Sequence, residues 1–214
     1  MQETSDIDKT IKLQSEFISA VTSILENRSK ETTGHIERTV KYIKILINAM
    51  KERKTYSNDL KELDLDVLYY SARFYDIGKI LIPDSILNKH EKLTVNEFEI
   101  IKTHALEGEK IISQIITQSG NDSLLLRYAK LFAGYHHERW DGKGYPRRLD
   151  RLNIPIQGRI MSVIDVYDAL ISERPYKKPF TPEEAVKIII DSSGEMFDPL
   201  IADVFFDIRE KFII

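Results

Sequence analysis

A chain of 214 residues, 42% of them hydrophobic, can bury one substantial core. Its 31 Lys+Arg against 34 Asp+Glu leave a formal net charge of −3, which is no electrostatic footprint for a long nucleic acid. The absence of cysteine excludes disulfides, thiolate metal sites and thiol nucleophiles, so a metal must be held by nitrogen and oxygen. No apolar run approaches membrane-spanning length, and Gln2, Glu3, Asp6 and Asp8 stand where a signal peptide would be basic and apolar. The sequence therefore predicts a soluble, cytoplasmic protein.

Taken in order, the apolar residues recur at helical spacing almost everywhere. Ile11, Ile18 and Leu25 are seven apart, with Val21 between the last two. This N-terminal helix either forms a short coiled-coil seam or packs on the domain; the second reading is favoured because the register runs for only two heptads. Ile36, Val40, Ile43, Ile47 and Met50 mark a second helix, and Leu65, Leu68 and Ala72 a third. Thr94-Val95-Asn96-Glu97 is a capping box opening a helix through Phe98, Ile101, Ala105, Gly108 and Ile112. Leu124 to Ala133 and Ile160 to Ile171 follow as helices. Thr181-Pro182-Glu183-Glu184 is a second capping box, with proline at the first helical position. Gly194 ends that helix, and Phe197-Asp198-Pro199 turns into a last one through Phe205. No strand-like alternation or internal repeat is present. The expectation is an all-α helical bundle, divided into an N-terminal helix over 1–30, for packing, dimerisation or signalling, and one domain over 31–214.

The chemistry-bearing residues concentrate around Tyr135-His136-His137-Glu138-Arg139-Trp140-Asp141-Gly142-Lys143-Gly144-Tyr145-Pro146. Imidazole pairs are common transition-metal ligands, and only five histidines occur in the chain. Alone, a His-His pair reads as polar surface; the other histidines change that. Glu31 precedes the second helix, His35 lies in its first turn, and Asp76 lies at the end of the third. His104 lies inside the helix opened by Thr94. Asp165 sits in Ser162-Val163-Ile164-Asp165-Val166-Tyr167-Asp168-Ala169-Leu170, among apolar neighbours that demand a counter-charge or a metal for a carboxylate. Four histidines and at least three carboxylates can thus converge in the core of a bundle, as helical metal sites do.

These residues fall in motifs that resemble the HD-GYP family, a branch of the HD-domain metal-dependent phosphohydrolases. The motifs are Gly34-His35-Ile36-Glu37-Arg38, Asp76-Ile77-Gly78-Lys79-Ile80 with Ile82-Pro83-Asp84, and His104 with Gly108. They continue with His136-His137-Glu138, Trp140-Asp141-Gly142, Gly144-Tyr145-Pro146, Asp165-Val166 with Asp168-Ala169-Leu170, and Arg174-Pro175-Tyr176-Lys177. The match runs from about Glu31 to Phe205. The resemblance implies an HD-type bundle with a metal site in its core, hydrolysing cyclic di-GMP with two or three divalent transition-metal ions, iron or manganese. It implies His35, Asp76 and Asp165 as ligands of one ion, with Asp76 bridging to a second held by His104 and one of His136 or His137. Glu31 and the other histidine of the pair would serve a third. The ions would activate a water and neutralise phosphoryl charge. The resemblance implies that Lys79 interacts with the scissile phosphate or assists the leaving oxygen, that Arg174 and Lys177 bind a substrate phosphate, and that Tyr145 shapes the substrate pocket; Trp140 reads as packing. It implies an upstream sensor domain or a homodimer as partner of the N-terminal helix.

Three departures stand out. Tyr75 replaces the histidine of the family's His-Asp pair, so that it is either a substitute phenolate ligand or the mark of a weakened first site. Arg148 and Arg151 stand where the family usually has glycines, which makes that loop bulkier and more basic. His90 replaces a turn glycine and reads as a surface residue. The expected function is a cyclic di-GMP phosphodiesterase. The alternatives are a degenerate member that binds the dinucleotide or a protein without turnover, and an HD phosphohydrolase of another nucleotide.

Overall fold

The computed structural model describes residues 20–21, 23–24, 26–29, 34–173 and 178–213. Among them every regular element is helical, and the only β contacts are isolated bridges at Asp141–Asp150 and Ser193–Phe197. The elements are α1 (His35–Glu52), α2 (Ser57–Lys61), α3 (Leu65–Ala72), a 3₁₀ turn (Ile77–Leu81), α4 (Asp84–Leu87), α5 (Val95–Ser119) and α6 (Leu124–Tyr135). A 3₁₀ turn (Arg151–Asn153) then leads to α7 (Ile156–Ile171), α8 (Pro182–Asp191), α9 (Pro199–Asp207) and a closing 3₁₀ turn (Arg209–Phe212). Among the described residues no helix is long and apolar enough to cross a membrane.

Both capping boxes form as the sequence predicts. Thr94 accepts from the Glu97 amide and Thr181 from the Glu184 amide, and each glutamate reaches back to its threonine's backbone. Helix α7 is the axis of the bundle. It packs on α1, α6 and α8, and Ile160, Met161, Val163, Ile164 and Tyr167 are all buried. Each such side chain contributes about 1.5–3 kcal/mol by leaving water. A helix enclosed on nearly every side delivers its polar residues to the interior, and this brings Asp165 and Asp168 there.

Helix α7 begins at Ile156, four residues before the apolar pattern suggests. Gln157, Gly158 and Arg159 hide its first turn from that pattern, yet all three are buried. Arg159 donates to Asp198 at 2.8 Å, and Tyr56 donates to the same carboxylate at 2.7 Å. The buried charge is thus paired and hydrogen-bonded, as the interior requires.

The described part of the N-terminal segment is helical and lies against the bundle. Val21 packs on the cluster of Phe74, Ile77, Ile112, Ala129 and Ala133. Glu26 accepts from the Ile36 amide at 2.8 Å, serving a helix start whose own N-cap, Gly34, has no side chain to offer. Arg28 donates to the carbonyl of Ile82 at 2.8 Å, to that of Ile80, and to Asp84 at 3.1 Å.

Candidate metal centre

Asp76 does not end a helix as expected from the sequence; α3 stops at Ala72, and Asp76 is the N-cap of the 3₁₀ turn Ile77–Leu81. That turn lies directly on α5. A Cβ on Gly78 would stand 1.9 Å from the His104 carbonyl oxygen and 2.5 Å from the Gly108 nitrogen, so only glycine permits the approach. Asp76 is thereby brought beside His104. Tyr75 belongs to the main core cluster and Ile77 to the smaller one, so Asp76 sits where the two meet.

The imidazoles of His104 and His136 are each fixed by backbone. Nδ1 of His104 is 2.7 Å from the Ile101 carbonyl oxygen; Nδ1 of His136 is 2.9 Å from that of Phe132 and 3.1 Å from that of Ala133. A carbonyl only accepts, so Nδ1 carries the proton and Nε2 of the neutral ring presents a lone pair. The two Nε2 atoms lie 3.1 Å apart, and Asp76 Oδ1 lies 3.2 Å from the first and 3.6 Å from the second. Asp76 Oδ1 is buried with no hydrogen bond aimed at it. Three lone-pair donors therefore face one point. The two shorter separations match the edges of a coordination polyhedron, about 3.0–3.4 Å for bonds of about 2.1 Å, and the third, 3.6 Å, is slightly longer. A divalent cation fits this donor set, and the backbone contacts at Nδ1 are the outer support that metal-ligating histidines usually have. His137 joins the group, with a ligating atom within 4.8 Å of those of His104 and His136. Burial and the neighbouring imidazoles hold His137 well below the usual histidine pKa, so its ring is available in the neutral, ligating form.

Lys79 lies one turn on, with Nζ 2.7 Å from Asp76 Oδ2. Burial opposes ionisation of Asp76, but the adjacent ammonium prevails and holds its carboxyl well below the usual carboxylate range.

A second group brings His35, Asp76 and Asp165 together, again with ligating atoms within 4.8 Å of one another. His35 is the first residue of α1. Its Nδ1 is 2.5 Å from Asp168 Oδ2, while Nε2 hydrogen-bonds with the Tyr75 hydroxyl. The same hydroxyl is 3.2 Å from Asp165 Oδ1. Asp165, shielded from water and facing the Asp76 charge, has its pKa raised. Asp168 is fully buried, yet His35 and Arg38 outweigh the cost of burial and lower its pKa. Arg38 grips it with both Nε at 2.7 Å and Nη2 at 3.0 Å.

The loop after α6 closes over these residues. Buried Glu138 accepts from the amides of Arg147 at 2.7 Å and Leu149 at 3.0 Å. A Cβ on Gly144 would strike the Arg139 nitrogen at 2.4 Å, so the chain doubles back only because that residue is glycine. Tyr145 is then held with its ring 4.7 Å from that of His137. Arg148 and Arg151 adopt φ of 57° and 48°, so the loop keeps the left-handed geometry that glycines would supply at those two positions. His90 is exposed, as expected.

Seven of the predicted site residues thus meet in one region: His35, Asp76, Lys79, His104, His136, His137 and Asp165, with Tyr145 at its edge. Glu31, Arg174 and Lys177 lie outside the described residues. No role for Asp168, Arg38 or Glu138 was foreseen from the sequence. The signal for Asp168 was the three-residue spacing from Asp165, which puts both carboxylates on one side of α7.

A model of the HD domain matches residues 19–201. The chain belongs to the HD-domain family. Among HD-domain relatives, a cyclic di-GMP phosphodiesterase of Vibrio cholerae is 41% identical over 196 residues, covering 92% of this chain and 40% of that protein. A 3'3'-cGAMP-specific phosphodiesterase 2 of the same organism is 34% identical over 208 residues, covering 97% of this chain and 37% of that protein. A crystal structure of a cyclic GMP-AMP specific phosphodiesterase from V. cholerae superimposes with a TM-score of 0.59 at 18% identity, over 93% of this chain and 50% of that one, which shows a shared fold. This HD-domain chain spans half or less of the length of these relatives.

Proposed function

We propose that this HD domain is a metal-dependent phosphodiesterase of cyclic dinucleotides, with cyclic di-GMP as its substrate and a linear dinucleotide as its first product. The observation that carries the reading is the convergence of the His104 and His136 lone pairs with Asp76 Oδ1, beside a lysine. The names of the relatives supply the substrate class.

His104, His136, His137 and Asp76 would hold the ion, and iron or manganese suits their mixed nitrogen and oxygen donors. A bound ion would supply Lewis acidity to a phosphoryl oxygen and lower the pKa of a water, so that it could give up a proton near neutral pH and act as the nucleophile toward phosphorus. The protein does the rest. Lys79, whose Nζ lies 2.7 Å from Asp76 Oδ2, would supply an ammonium to stabilise the negative charge that grows on the phosphate and the departing ribose oxygen. Burial, with Asp165 and Asp76 nearby, pushes the Tyr145 phenol far up, so it stays a neutral donor able to orient the substrate. In this reading Arg174 and Lys177 bind the second phosphate, and the N-terminal helix links the domain to a sensor or a second copy.

The second reading, a binding domain without turnover, is favoured by Tyr75 alone. The two separate in one assay. Protein purified without oxygen and loaded with Fe²⁺ or Mn²⁺ is incubated with cyclic di-GMP, and the products are resolved by chromatography. Metal-dependent appearance of linear dinucleotide is expected; tight binding of intact cyclic di-GMP with no product would establish the second reading. Parallel incubation with 3'3'-cGAMP tests the assignment within the class.

A further inference from the structure

The side chain of Tyr75 lies in the wall of the centre. Its ring is buried, packs edge-on to His136 with centroids 5.2 Å apart, and belongs to the main hydrophobic cluster. Its hydroxyl reaches both His35 Nε2 and Asp165 Oδ1. The first is the only nitrogen His35 has left for an ion, because its Nδ1 is committed to Asp168, and the second is one of the two carboxylate oxygens Asp165 can offer.

Both partners are held in place. Asp168 fixes His35, and Arg38 fixes Asp168 through two hydrogen bonds. Asp165 is carried by α7, the most enclosed helix of the bundle. The Tyr75 ring cannot swing out either, because it would leave a cavity in a close-packed core, a change that costs several kcal/mol for an aromatic side chain. A phenol in this position does part of what a cation would do. It offers a proton to an acceptor and links His35 to Asp165 in a fixed geometry, without a charge that must be balanced.

Resting on the metal-centre reading above, we propose that the Tyr75 hydroxyl replaces the ion between His35 and Asp165. The centre is then built around the His104–His136–His137–Asp76 group, and His35, Tyr75, Asp165 and Asp168 form a hydrogen-bonded wall. The nuclearity of the centre is set by this one side chain. The substitution Tyr75→His would remove the hydroxyl and turn an imidazole toward the same point. That ring nitrogen, with His35 Nε2 and Asp165, would supply three donors for an additional ion.

The test is metal content of the full chain. Wild type, Tyr75→His and Tyr75→Phe are loaded anaerobically with Fe²⁺ or Mn²⁺, desalted and analysed for bound metal by atomic emission, with circular dichroism to confirm the fold. Tyr75→His is expected to bind one equivalent more than wild type, and Tyr75→Phe the same number as wild type. Iron-loaded wild type, after oxidation, is expected to show no visible phenolate-to-iron charge-transfer band. Equal metal content in wild type and a folded Tyr75→His variant would overturn the proposal, as would a charge-transfer band that Tyr75→Phe abolishes, since the phenol would then be a ligand. If Tyr75→His does not fold, the band and the Tyr75→Phe metal count decide the matter. Loss of bound metal in Tyr75→Phe would show Tyr75 to be a ligand and overturn it equally. Failure of every protein to bind metal would instead overturn the metal-centre reading on which the proposal rests.

Discussion

Gly78→Ala should damage fold and metal centre together, because Gly78 is where the Asp76 turn touches α5. An added Cβ would stand 1.9 Å from the His104 carbonyl oxygen and 2.5 Å from the Gly108 nitrogen, and both are backbone atoms. No rotamer change relieves either contact. To restore an ordinary separation the turn and helix must part by roughly 1.5 Å. Overpacking of this kind typically costs about 1–3 kcal/mol, and a clash confined to backbone places the loss near about 3 kcal/mol. The same displacement draws Asp76 Oδ1 away from His104 Nε2, now 3.2 Å distant. Metal affinity should fall by about 10- to 100-fold, as when the support of a ligand is lost. Urea unfolding reads the first effect, and competition with a chromophoric chelator the second. Gly120→Ala is the control, since Gly120 ends α5 with φ of +65° and open space around it. It should cost roughly 1–2 kcal/mol through backbone strain alone and leave metal affinity unchanged. Wild-type stability and affinity in Gly78→Ala would refute the close-approach argument.

Three further outcomes are expected. Asp168→Asn should lower stability by about 3 kcal/mol in urea unfolding, because it leaves Arg38 and His35 without their buried carboxylate; partial exposure of Arg38 keeps the loss near the low end, and a loss under about 1 kcal/mol would contradict the account. Arg148→Gly and Arg151→Gly should each raise stability by about 0.5–1 kcal/mol, the relief of left-handed strain less the entropy of glycine; a fall in the urea midpoint would show that their side chains hold the loop. Glu97 is lowered from 4.5 to about 2 chiefly by Lys89 and the Thr94 backbone, so its contribution to stability is complete above about pH 4.5 and disappears as pH falls through about 2. Thermal melts between those values should show a slope in wild type that Glu97→Gln reduces, and an unchanged slope would disprove the linkage.

Much of the bundle is legible in the sequence because its signals are local. The boxes at Thr94 and Thr181 fix two helix starts, and apolar periodicity finds α1, α3, α5 and α6. The seat of Asp76 is not legible in this way. A five-residue 3₁₀ turn has no period to detect, and the need for glycine at 78 arises from α5, distant in sequence. The first turn of α7 escaped for the opposite reason: its polar residues suggest surface, whereas Arg159 is buried against Asp198. The metal-ligand candidates were legible through the motifs, but their protonation geometry was not. Only the carbonyls of Ile101, Phe132 and Ala133 show which ring nitrogen of His104 and His136 faces the centre.

The central claim is that His104, His136, His137 and Asp76 converge to hold an ion through imidazole nitrogen and carboxylate oxygen. X-ray absorption at the manganese or iron K-edge of the loaded protein measures that coordination directly. Nitrogen and oxygen neighbours are expected at about 2.0–2.2 Å, together with scattering from the more distant ring atoms of several imidazoles, reduced in His104→Ala. A spectrum with oxygen neighbours only, unchanged by His104→Ala, would contradict it.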